Sequence, residues 1–391
     1  MSMSRTRSTF VSPIVESFSW LDGVSFPPDR PLLNVSQAAP IDPPPKGLRQ
    51  AMARAVLHDA SAHLYGPVLG RDDLRAELAA QISDHYGADI SSQQIGITSG
   101  CNQAFAATIA SLCVDGDEVI IPAPWYFNHK MWLDISGVNA VALAVGADML
   151  PDVDQAAALI TPRSRAIALV SPNNPCGVEY PAELLRAFYD LAKSNGLALI
   201  LDETYRDFDS RSGPPHQLLQ LADWDQTLIH LYSFSKAYRL TGHRVGAVAT
   251  SPAQLFEIAK FLDTVTICPN QLGQIGALWG LQNLSDWVAG ERDEILDRRA
   301  AIQDGFAIIA EQGWKLLGCG AYFAYVEHPF PQPADEIARK LVTDASILML
   351  PGSMFMPKDD PAGARQFRIA FANVDRGGIT ELFHRLAAFQ P

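Results

Sequence analysis

Cysteine is scarce in this sequence, and its few cysteines form no pattern. The 391 residues contain five of them, at Cys101, Cys113, Cys176, Cys268 and Cys319. An odd number of scattered cysteines without a C-x-x-C pair argues against a disulfide framework and against a zinc site. Such usage is typical of a reducing compartment, so we expect cytoplasmic localisation and no bound metal.

Long apolar runs are absent as well. No run reaches the roughly 18 residues that a membrane-spanning helix requires. The two arginines within residues 1–10 are not followed by an apolar segment, as they would be in a secretory signal. We therefore expect no membrane span and no signal peptide, and we expect residues 1–10 to form a short mobile tail.

Positive charge is also in short supply. The 30 lysines and arginines are outnumbered by 43 aspartates and glutamates, which gives a net charge of −13. Such a surface repels phosphate backbones, so we expect no nucleic-acid partner. No Gly-x-Gly-x-x-Gly motif follows a strand and no P-loop motif occurs, which argues against a dehydrogenase or a kinase.

The sequence does have enough apolar residues for about two globular domains, with 48% hydrophobic and 19% charged residues. Short aliphatic or β-branched runs alternate with helical patterns such as 102–112 and 182–194. This alternation predicts an α/β fold with a mostly parallel sheet and helices on both faces. The seven predicted strands are 95–98, 118–121, 140–145, 166–170, 197–201, 228–231 and 245–249.

The flanking regions have a different pattern. Residues 27–46 hold seven prolines and cannot be helical, so they predict an extended strap. Residues 272–312 have a helical pattern, and residues 322–391 predict a smaller α+β segment. We therefore predict a large domain over 47–265, and a small domain made of 1–46 and 266–391.

The sixth predicted strand runs into Ser233, Ser235 and Lys236. Ligands of open α/β sheets bind outside the carboxyl ends of the strands. A lysine there is partly desolvated, which lowers its pKa and frees a nucleophilic amine, and the serines could bind a phosphate. A solvated surface lysine is the alternative when this residue is considered alone.

The two preceding strand ends carry a carboxylate and an amide. The fifth strand ends at Asp202, whose buried carboxylate requires a cation such as a protonated pyridine nitrogen, unless it is a helix cap or lies at the surface. The fourth strand ends in SPNNPCG at 171–177. Its prolines force a rigid turn, with the Asn-Pro bond a candidate for cis, that could aim one amide into a site or simply reverse the chain.

The first two strands end in residues that suit a cofactor. Gly100, Cys101 and Asn102 open a helix, where free N–H groups suit a phosphate, although many helices begin this way. Trp125 and Tyr126 follow the second strand and offer an aromatic face, unless they belong to the core.

Arg368 lies in the apolar, strand-like run Phe367-Arg368-Ile369-Ala370 of the C-terminal region. A guanidinium in such a run requires a planar anion, which would be either a bound carboxylate or the partner in a structural ion pair.

Each feature has an ordinary explanation, but their joint occurrence at successive strand ends is distinctive. Here the sequence resembles the class I/II aminotransferases, the aspartate-aminotransferase-like group of fold-type I enzymes that use pyridoxal 5′-phosphate (PLP). The resemblance extends from about residue 32 to the C-terminus. Its most specific parts are the SPNNPCG, DETY and SFSKAYRLTGHRVG segments.

By this resemblance, four residues carry the chemistry. Lys236 forms the covalent bond to PLP and then moves the proton between substrate and cofactor. Asp202 pairs with the pyridinium nitrogen, and Tyr205 and Asn174 donate hydrogen bonds to the ring oxygen. The resemblance also implies that Tyr126 stacks on the ring, although Trp125 could take its place by a one-residue slip. The residues implied for the phosphate are Gly100, Cys101, Asn102, Ser233, Ser235 and Arg244.

The resemblance also implies a shared site. Tyr65 matches a tyrosine that reaches the phosphate of a partner subunit, which implies a homodimer, and Arg368 matches the arginine that binds the substrate α-carboxylate. Ala38 stands where the family usually has a glycine that contacts this carboxylate, so the sequence departs from the family pattern at this position. We find no second arginine for a dicarboxylate side chain, and residues 264–270 could line the pocket of the partner.

The function implied is transfer of an amino group from an α-amino acid to a 2-oxo acid by a ping-pong mechanism. The substrate is expected to be neutral or aromatic. A PLP-dependent β-lyase of the same fold, which would share every motif above, is the alternative. A regulatory protein that uses the fold without turnover is a third reading.

Overall fold

The computed structural model describes residues 4–358 and 360–391. Its strands, in chain order, are β1 (Leu33–Asn34), β2 (Ile95–Thr98), β3 (Glu118–Ala123), β4 (Asn139–Ala144), β5 (Ser164–Val170), β6 (Ala198–Asp202), β7 (Leu228–Ser233), β8 (Gly246–Ala249), β9 (Lys315–Gly320), β10 (Phe323–Glu327), β11 (Ile347–Leu348), β12 (Leu350–Pro351) and β13 (Gln366–Ala370). Its α-helices are α1 (Pro13–Ser19), α2 (Lys46–His58), α3 (Asp72–Tyr86), α4 (Cys101–Leu112), α5 (Phe127–Ser136), α6 (Val153–Ala158), α7 (Ala182–Ser194), α8 (Phe234–Ala237), α9 (Pro252–Thr266), α10 (Gln271–Asn283), α11 (Ser285–Ala310), α12 (Ala334–Ala345) and α13 (Arg376–Ala388).

The larger sheet has seven strands in the order β2-β8-β7-β6-β5-β3-β4. Only β8 runs antiparallel to its neighbours within this sheet. Strands β2, β3 and β7 are buried along their whole length, as expected for aliphatic strands with helices on both faces. The seven strands and the mostly parallel sheet predicted from the sequence are confirmed. Because β3, β5, β6 and β7 are parallel, their carboxyl ends meet at one edge of the sheet.

The smaller sheet is antiparallel, with the order β12-β13-β10-β9. A second hydrophobic cluster lies against it, with Ile302, Phe323, Ile337 and Phe383 among its members. The proline-rich strap joins this region through β1, which pairs with β11. The helical stretch predicted over 272–312 is present as α10 and α11, with a break at Leu284.

Helix α10 packs against α2 and α3, and its Leu281 belongs to the same buried cluster as Leu48 beside the larger sheet. The division of the chain at residue 265 stays a prediction. In the part of the chain that the structure describes, no helix is both long and apolar enough to cross a bilayer.

Residues just after the start of the chain are docked on α5. Arg5 pairs with Asp115 at 2.6 Å, and the Ser8 hydroxyl donates to the Asp134 carbonyl at 2.9 Å. The prediction of a mobile tail is therefore wrong for residues 4–10, whereas residues 1–3 lie outside the described residues. Helix α1 follows directly.

Candidate active site

A cavity of about 430 Å³ opens at the carboxyl ends of the parallel strands. Most of the site residues predicted from the sequence line it, and Gly100 and Tyr65 do not. The predicted residues in its lining are Ala38, Cys101, Asn102, Tyr126, Asn174, Asp202, Tyr205, Ser233, Ser235, Lys236, Arg244 and Arg368.

Lys236 lies in the short helix α8, which begins where β7 ends. The Ser233 hydroxyl caps this turn by accepting from the Ser235 N–H at 3.2 Å. The amine of Lys236 donates to the Ala38 carbonyl. Burial, assisted by the charges of Arg368 and Arg244, lowers the pKa of Lys236 to about 7. This lysine is therefore not a solvated surface residue, and a large fraction of it is a neutral nucleophile at neutral pH.

Asp202 ends β6 with its side chain only 4% exposed. One carboxylate oxygen accepts from the Thr204 N–H at 3.0 Å and hydroxyl at 2.7 Å, and the other lies 3.2 Å from His129 Nε2. Burial alone would raise the pKa of Asp202, but His129 and Thr204 reverse that effect and bring the pKa below its usual value. Asp202 is therefore an ionised carboxylate that faces the cavity.

His129 is a site residue that the sequence analysis missed. It lies on α5 with its ring stacked on Phe105 at 3.8 Å between centroids and an interplanar angle of 12°. It also makes an edge contact with Tyr126 at 5.0 Å. A histidine three residues after the predicted aromatic, at the start of a helix, was the available signal, because residues three apart share a helix face.

Behind Asp202, a buried polar cluster surrounds the Glu203 carboxylate. It accepts hydrogen bonds from the Tyr86 hydroxyl and from His230 Nε2 (2.7 Å), and His216 Nε2 lies 3.3 Å away. Burial would raise the pKa of Glu203, but His216 and His230 hold it well below the usual range. Because Glu203 lies between Asp202 and Tyr205 in the chain, these contacts fix the segment that carries both.

The turn after β5 directs Asn174 into the cavity. Asn173 holds the turn, since its side-chain oxygen accepts from the Cys176 N–H at 2.9 Å. The Ser171–Pro172 and Asn174–Pro175 bonds are cis. The Asn174 side-chain oxygen in turn accepts from Arg368 at 2.9 Å.

Arg368, on β13, is 2% exposed and lies between the rings of Phe323 (4.9 Å) and Phe355 (4.8 Å). Its guanidinium also donates to the Ser36 carbonyl, and its Nε has no partner. No carboxylate of the described residues pairs with it, so the structural ion pair is not found. Burial lowers the pKa of Arg368 only to about 10, so it remains a cation at neutral pH. A buried, unpaired guanidinium is suited to a bidentate carboxylate ligand.

The start of α4 and the loop after α8 form a cradle of donors. Gly100 has a φ of +87°, and a Cβ there would lie 2.2 Å from Arg244 Nη2. A Cβ at Gly246 would lie 2.6 Å from the Cys101 nitrogen, so both glycines are needed for the close approach. Arg244 donates to the Thr241 carbonyl at 2.9 Å and contacts the Ser235 hydroxyl at 3.4 Å. Free N–H groups, hydroxyls and a guanidinium at a helix N-terminus suit a phosphate.

Of the two candidate aromatics, Tyr126 lines the cavity and Trp125 does not. The Tyr126 hydroxyl donates to Asn102 (3.2 Å) and accepts from Asn128 (2.9 Å), and burial raises its pKa to about 12. Trp125 faces a separate cavity on the other side of α1. Tyr205 packs against Phe323 with 5.2 Å between ring centroids.

Tyr65 is 81% exposed and lies outside the cavity of its own chain. The segment after it contacts the 264–270 loop, since the Gly66 N–H lies 3.4 Å from the Cys268 sulfur.

One wall of the cavity was predicted only at Ala38. It consists of Ser12, Ile14 and Val15 at α1, and of Gln37 and Ala39 in the strap around Ala38. The α1 segment carries no motif or usable periodicity, and the strap is marked only by Ala38, which stands at the family's glycine position.

This chain is similar to known proteins over most of its length. A family model described as "Aminotransferase class I and II" matches residues 30–386. An aromatic aminotransferase of Arabidopsis thaliana, ISS1, is 26% identical over 88% of this chain and 85% of its own length. An aspartate aminotransferase of Thermotoga maritima is 26% identical over 81% of each chain. The structure of YbdL from Escherichia coli, described as having a methionine aminotransferase function, has the same fold, with a TM-score of 0.87 and 22% identity over 100% of both chains.

Proposed function

The chain belongs to the class I and II aminotransferases, a family of fold-type I enzymes that use PLP, and we propose that it binds PLP and works by a ping-pong mechanism. In this proposal it moves an amino group from a neutral or aromatic α-amino acid to a 2-oxo acid. The observation that carries the proposal is the convergence of Lys236, Asp202 and Arg368 on one cavity.

The residues present fit this cofactor. Asp202 is an ionised carboxylate for the ring nitrogen, Lys236 is an amine with a depressed pKa, and Gly100 leaves room for Arg244 beside the phosphate cradle. We assign the phosphate to this cradle. Gly100, Cys101, Asn102, Ser233, Ser235 and Arg244 make up the assigned set.

The positions of these residues around the cavity support the roles that the family resemblance implies. When bound, PLP supplies an electron-withdrawing ring that stabilises negative charge developing at the substrate Cα. Lys236 is the covalent anchor and then the base that carries the Cα proton. Tyr205 and Asn174 donate to the ring oxygen, and Tyr126 covers one face of the ring. Arg368 holds the α-carboxylate, with the Ala38 region beside it.

The cavity supports a neutral or aromatic substrate side chain. Its three cations, Lys236, Arg244 and Arg368, all have assigned roles within the described residues. The unassigned lining is apolar or uncharged, and Ile14 and Phe127 belong to it. One of the relatives is named an aromatic aminotransferase, which agrees with this assignment, and another is named an aspartate aminotransferase, which is the competing outcome.

The proposal includes a homodimer in the cytoplasm. The side chains of Tyr65, Leu64, Leu57, Val265 and Ile267 are all exposed, and the Gly66–Cys268 contact brings residues 64–70 next to residues 264–270. Exposed apolar side chains next to both segments, 64–70 and 264–270, are suited to burial against a second copy of the chain. In this arrangement Tyr65 reaches the phosphate of the partner.

An amino-donor screen with pyruvate and 2-oxoglutarate as acceptors tests the proposal. Neutral or aromatic donors should give the highest kcat/KM. A strong preference for aspartate would contradict the substrate class. Release of pyruvate and ammonia from a cysteine conjugate without any oxo acid would favour a β-lyase.

A further inference from the structure

Residues 36–39 of the strap, which we call the carboxylate strap, form part of the cavity wall but belong to no backbone ladder. Up to Val35 the chain is held by main-chain bonds, from the Val35 N–H to Leu348 and from the Ala370 N–H to Val35. Gln37, Ala38 and Ala39 then line the cavity. A backbone segment outside any ladder must be held by side chains, by local turns or by solvent.

Four side chains hold the carboxylate strap in the described residues. Asn34, two residues before the strap begins, accepts from the Ser36 N–H at 3.1 Å and from the Ser36 hydroxyl at 2.7 Å. The other three lie far away in the chain. Arg368 donates to the Ser36 carbonyl, and Lys236 donates to the Ala38 carbonyl. The third is Asn373, which lies just after β13 in a turn supported by the bond from the Phe371 N–H to the Tyr322 carbonyl (3.0 Å).

Asn373 uses its whole amide group for this purpose. Its oxygen accepts from the Ala39 N–H at 3.1 Å. Its nitrogen donates to the Gln37 carbonyl and, at 3.5 Å, to the Asn34 carbonyl. The amide nitrogen and oxygen are therefore directed at the carboxylate strap and at Asn34 just before it, and Asn373 is not among the residues that line the cavity.

The strap contacts of Lys236, Arg368 and Asn373 differ in whether the same groups must also bind ligands. The amine of Lys236 and the guanidinium of Arg368 are the groups assigned to the cofactor and to the substrate carboxylate. Each must redirect hydrogen bonds when those ligands bind. Asn373 has no such second role, so its contacts can persist while the other two are redirected.

We propose that Asn373 is a positioning residue that keeps the carboxylate strap in its binding conformation while Lys236 and Arg368 engage their ligands. This inference rests on the proposed function. It also accounts for how a strap with Ala38 at the family's glycine position is kept in place. Because Asn373 acts on the wall beside the α-carboxylate and not on the reacting atoms, its loss should weaken substrate binding more than it slows the chemical step.

The test is a single-turnover reaction of the PLP-loaded enzyme with its best amino donor, measured over a range of donor concentrations. For Asn373→Ala we expect the half-saturating concentration to rise about tenfold, the size of effect that losing two or three hydrogen bonds gives. The limiting rate should change less than about threefold, since no group at the reacting atoms is removed. Asn373→Asp should raise the half-saturating concentration at least as much, because it keeps the acceptor for Ala39 but turns an oxygen toward two carbonyls.

Asn283→Ala is the matched control. Asn283 also donates its side-chain amide to a backbone carbonyl, that of Trp279 at 2.8 Å, but it is exposed and does not line the cavity. Its half-saturating concentration and limiting rate should equal those of the parent enzyme.

Two results would overturn the inference. One is a half-saturating concentration for both Asn373 variants that equals that of Asn283→Ala. The other is a fall in limiting rate that matches the loss of binding and comes with a lower melting temperature, which would indicate a purely structural role. Failure of the parent enzyme to transfer an amino group with any donor would instead overturn the proposed function, so the two failures are distinguishable.

Discussion

The cavity has two walls that are built in different ways. The sheet wall carries Asn174, Asp202 and Lys236 at the ends of β5, β6 and β7, where each strand is paired on both sides. The N-terminal wall consists of α1 and the carboxylate strap, and the strap is held by the side chains of Asn373, Arg368 and Lys236. The groups proposed to act on the reacting atoms thus follow strands whose backbones are paired on both sides.

This difference indicates that the sheet wall carries the catalytic groups, whereas the N-terminal wall contributes to substrate selectivity. A catalytic group must be held within a fraction of an ångström, which strand ends and a packed second layer such as His129 and Glu203 provide. A wall that meets the substrate side chain can change with less cost to the fold, because few backbone bonds depend on it. Substitutions on the sheet wall should therefore have larger effects on activity than substitutions on the N-terminal wall.

Replacing Lys236 with alanine should remove the chemistry of the sheet wall. We expect kcat/KM to fall by about 10⁴ or more, since the anchoring amine and the proton carrier are lost together. Steady-state assays with the best donor measure this. Lys260→Ala, which removes an exposed lysine paired with Glu257, should retain full activity, and an equal fall in both variants would contradict the assignment.

Asp202→Asn keeps the shape of the side chain and removes its charge. We expect kcat to fall by about 10²–10³, because the ring nitrogen would lose its anionic partner at a position where the side chain is only 4% exposed. Glu118→Gln is the matched control, since Glu118 is a buried carboxylate that pairs with Arg163 at 2.7 Å, at the opposite end of the sheet. Similar kcat values for the two variants would show that charge at position 202 has no special role.

Arg368→Lys tests a residue that contacts both walls, since Arg368 donates to Asn174 and to the Ser36 carbonyl. The lysine keeps a positive charge but cannot make a bidentate contact, so KM for the amino donor should rise about 30-fold or more, with a smaller change in kcat. A KM that stays within about twofold of the parent value would contradict carboxylate binding by Arg368.

The pH dependence of cofactor capture tests the environment of Lys236. With a pKa of about 7, the neutral amine should increase roughly tenfold between pH 6 and pH 8 and then level off. The rate at which the apoenzyme captures PLP, followed by absorbance, should do the same. Arg368→Met should move the midpoint to higher pH, because the Arg368 charge contributes to lowering this pKa. A rate that still rises steeply above pH 9 would indicate an ordinary lysine.

The smallest effect is expected on the N-terminal wall. Ile14→Ala enlarges the cavity beside the substrate side chain, so the ratio of kcat/KM for an aromatic donor to that for alanine should change about fivefold. Val11→Ala changes the same segment, but Val11 is exposed and faces the separate cavity. An Ile14 variant with the selectivity of the Val11 variant would show that α1 has no part in substrate choice.

The two walls also differ in how far the sequence predicts them. The sheet wall follows from local patterns, because an aliphatic run predicts a strand, and the residues at or just after its end, such as Asp202 and Lys236, then lie at the sheet edge. All seven strands of this sheet were predicted for that reason.

The N-terminal wall depends on contacts between distant parts of the chain. Asn373 accepts a hydrogen bond from Ala39, which lies 334 residues away in the chain. No local sequence pattern near either residue predicts this contact. Docking of Arg5 on Asp115 is likewise a tertiary contact, which is why a mobile tail was predicted instead. His129 was missed because it lies on α5, after β3, whereas its partner Asp202 ends β6, far away in the sequence.

The most direct test of the account is a single half-reaction of the PLP-loaded enzyme with a neutral or aromatic amino acid and no oxo acid. We predict that the visible absorbance of the lysine-bound cofactor disappears and that one equivalent of 2-oxo acid is released per Lys236. Persistence of that absorbance with every amino acid tried, and no release of oxo acid, would contradict the central claim.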